Sequence, residues 1–203
     1  FRSDDAEKTL TNNAPMKNYL EKKLGVSVNA ITGTSYTAVI EAMRAGKADA
    51  MEVGPFSYAL AVQEANAEAI AVSVSCPAKE KQPDCKFDAA AKPFYQSTII
   101  TKKGSNIASL ADLKGKSFSF VDPASTSGHL APKTMLIKAG YTNPDKDLQT
   151  IFAGSHPSSA LAVYNGKTQA GATFESNLQN LVASKQVDAC MWADGKINEL
   201  RTP

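Results

Sequence analysis

Ser125, Thr126 and Ser127 stand in a row and are followed by Gly128, within the stretch Asp122-Pro123-Ala124-Ser125-Thr126-Ser127-Gly128-His129. Each hydroxyl can donate one hydrogen bond, so three together suit a small tetrahedral oxyanion. The flanks strengthen that chemistry. Lys116 to Val121 reads as an apolar strand, and Leu130 to Ala139 reads as a helix. The hydroxyls therefore lie where a strand hands over to a helix. The first turn of a helix offers unpaired backbone N–H groups and the positive end of its dipole. Together these make an anion socket. No lysine or arginine lies inside the stretch, which favours recognition by hydrogen bonds over bulk charge.

The elements around the socket alternate between strands and helices. Asn13-Ala14-Pro15 reads as a helix start, with Met16, Leu20 and Leu24 on one face and Gly25 as the stop. Strands are expected at Val26 to Ile31, Ala48 to Val53 and Ala69 to Ser75, with helices at Tyr36 to Ala45 and Phe56 to Ala65. The second half repeats the rhythm. Strands are expected at Tyr95 to Thr101, Lys116 to Val121, Thr150 to Ala153 and Gln169 to Phe174. Helices are expected at Ser109 to Leu113, Leu130 to Ala139, Pro157 to Tyr164 and Ser176 to Ala183. This is the pattern of βαβ units and parallel sheets. The rhythm breaks near residues 76–94, which implies two α/β lobes, 1–94 and 102–203, joined by an extended crossing at 95–101. Ligands of open α/β sheets bind beyond the carboxyl ends of the strands, here the cleft between lobes.

Four loops reach that cleft, each after a strand and before a helix: Thr34-Ser35-Tyr36, Gly54 to Tyr58, Asp122 to Gly128 and Gly154-Ser155-His156. Ser125, Thr126 and Ser127 can each donate a hydroxyl hydrogen to a ligand; the alternative is simple capping of the helix by one of them, and the two roles can coexist because only one cap is required. Gly128 marks either a turn or a close approach to the ligand. His156 can donate through a ring N–H or serve as a surface or capping residue. Tyr36 and Tyr95 can donate phenolic hydrogen bonds or simply pack. His129 receives no role.

Composition narrows the classes. Hydrophobic residues at 43% and charged residues at 21% fit a globular chain with a core. A net charge of +2 and no basic block argue against nucleic acid. No apolar run approaches the roughly 20 residues needed to cross a bilayer. Cys76 and Cys85 flank a polar loop that suits a disulfide in an oxidising compartment or two free thiols; Cys190 is left over. With two histidines and no CxxC pair, no metal site is expected. A nucleophile at Ser127 with His156 as base, oriented by Glu175 or Asp122, is imaginable. No GxSxG elbow and no GxxxxGK[ST] loop occur, so the chain is read as a binder and not an enzyme, with no cofactor.

Asp122 to Gly128 closely resembles the DPxSTSG signature of phosphonate/phosphite-type substrate-binding proteins of ABC transporters. Tyr19 to Val26, Tyr36 to Asp49, Gly54-Pro55-Phe56-Ser57-Tyr58 and the segment from Gly154 to Val163 resemble the family's other segments in order. The resemblance implies an α/β, type II periplasmic-binding-protein-like fold with two lobes around a ligand cleft. It implies a small phosphorus oxyanion ligand (phosphonate or phosphite, with phosphate as a further case) and delivery to a permease; the alternative is a sensor domain that recognises the same anions. A monomer is expected, in the periplasm or outside the cell on a lipid anchor. By motif, Ser125, Thr126 and Ser127 would hold the ligand's oxygens, with Tyr36 and His156 completing the shell. Tyr95 aligns with a crossing-strand tyrosine, and Glu175 with an acidic residue that can meet an amine. Ser35 stands where an aspartate is common. Family members begin with an earlier strand and continue for tens of residues past Pro203, so a trimmed chain is expected.

Overall fold

The computed structural model describes residues 6–74, 90, 93–187 and 197–200. Cys76, Cys85 and Cys190, and with them the disulfide expectation, lie outside the described residues. The first half is helical. Helix α1 spans Ala6–Leu24 and runs straight through Pro15, so Asn13 does not begin it. The amide of Asn13 instead donates back to the carbonyl of Thr9 (2.9 Å), one turn earlier. Gly25 ends α1 in the left-handed region (φ +68°). Helix α2 spans Tyr36–Arg44, capped by Ser35, whose hydroxyl accepts the N–H of Ala38 (3.0 Å). Helix α3 spans Pro55–Ala65 and starts on Gly54-Pro55, a proline at the position where a missing N–H costs nothing. Helices α2 and α3 pack together, with Val39, Ile40 and Ala61 buried.

The strands expected at 26–31, 48–53 and 69–74 do not form. A strand exists only when a neighbour pairs its N–H and C=O groups, and no such ladder forms along them among the described residues. Ile70 and Val72, apolar by sequence, are exposed there.

The second half is a sheet with helices on both faces. Strand β1 is Ser97–Lys102 and β2 is Ser117–Phe120, with a 3₁₀ turn at Leu110–Leu113 between them. A π turn at Thr126–Leu130 leads into α4, Ala131–Lys138, and a short helix α5, Pro144–Asp147, precedes β3, Gln149–Phe152. Helix α6 is His156–Tyr164, β4 is Ala170–Phe174, α7 is Glu175–Ala183 and β5 is Ile197–Leu200. The order is β3-β2-β4-β1-β5. Strand β2 is parallel to β3 and β4, whereas β1 is antiparallel to both β4 and β5. The sheet is thus mixed rather than parallel. Alternating strands and helices mark crossovers, and they say nothing of the direction in which the strand entering from the first half will run.

Period-2 patterning sets the two faces. Phe118 and Phe120 of β2 are fully buried on one side with Ile99, Leu113, Leu136 and Leu148. Burying each phenylalanine contributes roughly 1.5–3 kcal/mol. On the other side Ile100, Ala160, Val163, Leu178 and Leu181 pack under α6 and α7. Here α6 comes very close to the sheet, because the residues between them are small. Ser119 of β2 pairs with Gly171 of β4, and the Ser119 and Ser159 hydroxyls lie 2.8 Å apart, fully buried. A Cβ on Gly171 would collide with Ser119 Oγ and come within 2.9 Å of Val163 Cγ2. We expect Gly171→Ala to destabilise the protein by about 1–3 kcal/mol, the usual effect of overpacking. Urea denaturation checks this, and an unchanged midpoint would show that the spacing of α6 is not set here.

Candidate functional site

Parallel strands β2, β3 and β4 all point one way, so the loops after them share one edge of the sheet. The loop after β2 is the hydroxyl-rich stretch. Its Ser125 takes the capping role that the sequence left as the alternative for one of the three: Oγ accepts the N–H of Gly128 (3.0 Å). The turn it opens is a π turn rather than an α turn, closed by Leu130 N–H to Ser125 O (3.1 Å). Gly128 is needed for packing. A Cβ there would collide with Val121 Cβ and Cγ2 and lie 2.8 Å from Ser125 Oγ. Val121 N–H also donates to Gly128 O (2.9 Å), so the turn folds back onto the strand it left.

The loop after β3 runs alongside. Ala153 N–H reaches Phe120 O (2.8 Å) and Gly154 N–H reaches Val121 O (2.9 Å), extending the ladder beyond the strands. Gly154 has φ +83°, a conformation a side chain would strain. Ser155 then caps α6 through Ser158 N–H (2.9 Å) and sets His156 at its first position. His156 is buried. Its Nε2 lies 3.5 Å from Ser125 Oγ and its Nδ1 3.5 Å from Thr173 Oγ1, both at the long limit of hydrogen bonding. The imagined pairing of His156 with Ser127 therefore gives way to one with Ser125.

The end of β4, which passes directly into α7, supplies an unforeseen residue, Phe174. Its ring meets the edge of His156 (centroids 4.7 Å apart, 80°) and of Tyr95 (6.2 Å, 86°). Both rings are thereby held in one row. Tyr95 lies just before β1 and is half-exposed, with its hydroxyl 3.4 Å from where a Cβ on Gly54 would stand. Glu175 opens α7 and is exposed; its N–H donates to Gln96 O (3.1 Å).

The loops of the first half meet the same stretch. Phe56 N–H, at the start of α3, donates to Thr126 Oγ1 (2.9 Å), and Ser57 Oγ donates to Ala124 O (2.7 Å). Tyr36 N–H, at the start of α2, donates to Asp122 Oδ2 (3.4 Å). All four loops picked out by sequence therefore converge on residues 121–126. Ser127 is buried, and its carbonyl accepts from Ser97 Oγ (2.8 Å). Two anchors escaped the sequence reading. Ser97 is one; His129 is the other, with Nδ1 donating to Pro123 O (2.8 Å) and its ring against Phe120 and Phe152. A carbonyl only accepts, so Nδ1 carries a proton.

Chemically, these hydroxyls are neutral groups. The Ser125 and Thr126 oxygens each accept one backbone N–H, which takes one lone pair and leaves the hydroxyl proton out of that bond. A separate cavity of about 310 Å³ lies behind α2, lined mainly by Ile31, Val39, Ala42, Ala48 and Ala50. It is mostly apolar and does not suit an anion. Among the described residues, no cluster of His, Cys, Asp and Glu could hold a metal ion, and no helix is long and apolar enough to cross a membrane.

Fold and loop edge together define a periplasmic-binding-protein-like α/β architecture of type II. The chain belongs to the family described as the phosphonate periplasmic substrate-binding proteins of ABC transporters, whose sequence model matches residues 2–201. It is 34% identical over 179 residues to the phosphate-import protein PhnD of Mycolicibacterium smegmatis, covering 84% of this chain and 52% of that protein. The binding protein component of an ABC phosphonate transporter from Pseudomonas aeruginosa superposes with a TM-score of 0.78 at 24% identity, over 98% of this chain and 61% of the other. PhnD1 of Prochlorococcus marinus, solved in complex with methylphosphonate, gives 0.72 at 22% identity, over 98% and 70%. The chain spans about half the length of the curated relatives it matches.

The fit of Gly128 against Val121 gives a direct test. Gly128→Ala should cost about 1–3 kcal/mol of stability, because the added methyl meets a buried β-branched side chain. Thermal denaturation measures it; a melting temperature equal to that of the parent would contradict the packing described.

Proposed function

We propose that this protein captures a small phosphorus oxyanion between its two halves and hands it to the permease of an ABC importer. Phosphonate and phosphite are the leading ligands and phosphate a further one. The observation that carries the reading is the donor state of the loop: Ser125 and Thr126 accept backbone N–H groups and so present their own protons. Ser127 and His156 extend that set, and Tyr36 and Tyr95 close it from the first half and the crossing segment. Glu175, exposed at the start of α7, would meet an amine on an aminoalkyl ligand. The reading takes residues 1–94 and 102–203 as the two lobes, with 95–101 as the crossing, in a monomer that works in the periplasm or outside the cell. It assigns no catalysis.

Neutral donors give selectivity by geometry. Phosphite and alkylphosphonates carry one vertex, P–H or P–C, that accepts no hydrogen bond. If that vertex meets the Tyr95 ring or Phe56, phosphate must leave a hydroxyl unpaired there, a penalty on the order of 1–3 kcal/mol. Isothermal titration with phosphite, methylphosphonate, 2-aminoethylphosphonate and phosphate tests the proposal. At least one should bind below about millimolar, a free energy near 4 kcal/mol. Ser127→Ala and His156→Ala should each weaken that ligand by about 10- to 100-fold, the worth of a hydrogen bond to a charged acceptor. Failure of all four ligands to bind would end the proposal.

A further inference from the structure

We infer that Asp122 is a positioning residue that holds the ligand-facing groups of the two halves in register; the inference rests on the binding site proposed above. Asp122 is 5% exposed, and a carboxylate so buried must be well partnered. One oxygen, Oδ1, accepts Ala124 N–H (2.8 Å) and pins the hydroxyl loop. The other, Oδ2, accepts Tyr36 N–H (3.4 Å), 86 residues away, at the first position of α2. That is the positive end of the α2 dipole, which favours a carboxylate. The same side chain therefore fixes the loop that carries Ser125 to Ser127 and the backbone that carries the Tyr36 phenol.

The neighbouring contacts repeat the design at alternate loop positions. Ala124 O takes the Ser57 hydroxyl and Thr126 Oγ1 takes Phe56 N–H, both from the start of α3. Residues 122, 124 and 126 thus clasp the starts of α2 and α3. Of the three, only Asp122 uses a side chain with two acceptor oxygens, one for each half. An asparagine offers one acceptor oxygen, so it can keep the loop bond or the cross-chain bond and not both.

Tyr36 allows a clean test from the other side of the bond. Tyr36→Ala and Tyr36→Pro both remove the phenol, and only proline removes the N–H. Proline is tolerated at the first helical position, and Ser35 before it is already extended (φ −147°, ψ 163°). Methylphosphonate affinity is measured by calorimetry for both variants, alone and combined with Asp122→Asn. Tyr36→Pro should bind about tenfold more weakly than Tyr36→Ala, and Asp122→Asn should cost about tenfold in the alanine background and nothing more in the proline background. Equal affinities for the two Tyr36 variants, or an undiminished effect of Asp122→Asn beside proline, would overturn the inference. Amide hydrogen exchange without any ligand gives an independent reading. Tyr36 N–H should exchange at least about tenfold faster in Asp122→Asn than in the parent or in Asp49→Asn, an exposed control. An unchanged Tyr36 rate would refute the role of Asp122 even if the parent binds no anion, whereas absent binding with a faster rate would refute only the proposed ligand.

Discussion

The site depends on one constraint: every polar group in the buried stretch from Val121 to Gly128 needs a partner, and the stretch cannot supply them all itself. Its own turn satisfies some, through Ser125 Oγ to Gly128 N–H and Val121 N–H to Gly128 O. Others are met from outside, by Phe56, Ser57, Tyr36 and Ser97. Those partners come from α2, α3 and β1, so satisfying the loop brings the first half against the second. The Ser125 and Thr126 oxygens serve as acceptors in this arrangement, so their protons are not consumed by these bonds.

Packing beneath the loop makes the geometry hold. Gly171 and Ser119 let α6 lie close on the sheet, and α6 begins with His156. The ladder between β2 and β3 continues past both strands, so the Ser125 and His156 loops run side by side. Phe174 then sets the His156 and Tyr95 rings edge-on against one another's neighbour. Small residues where the helix meets the sheet and an aromatic ring at its edge place the polar groups to within ångströms, without any charged residue among the hydroxyls.

Much of this was legible in the sequence, and the limits have physical causes. Helices α2, α3 and α6 announce themselves through Ser35, Gly54-Pro55 and Ser155 with Pro157, because caps act within one turn. Pro15 misleads, since proline marks a helix start only when the residues before it cannot themselves be helical, and here Ala6 to Ala14 can. The alternation at residues 26–31 says which face would be apolar and cannot say whether a partner strand lies alongside; the short run at 48–53 is silent on the same point. In the site, the hydroxyls and His156 stand out by type. The N–H groups of Phe56 and Tyr36 do not, because a backbone donor has no letter of its own and these meet their acceptors 70 and 86 residues away. Asp122 was visible only as a residue that could orient a histidine; the structure turns it toward Ala124 and Tyr36 instead.

The curated relatives are named as a phosphate-import protein, a phosphonates-binding protein and a probable phosphite-binding protein, and the proposed function would have one loop serve such similar ions. Under the proposed function, the Ser, Thr and His donors would read the number and placement of acceptor oxygens, while the group opposite the fourth vertex would decide among P–H, P–C and P–O. The most direct measurement is a crystal structure with methylphosphonate bound. The account predicts its oxygens within about 2.5–3.0 Å of the hydroxyls of Ser125, Thr126 and Ser127, with the His156 ring beside them. A ligand seated elsewhere, or one whose oxygens touch none of these hydroxyls, would contradict it.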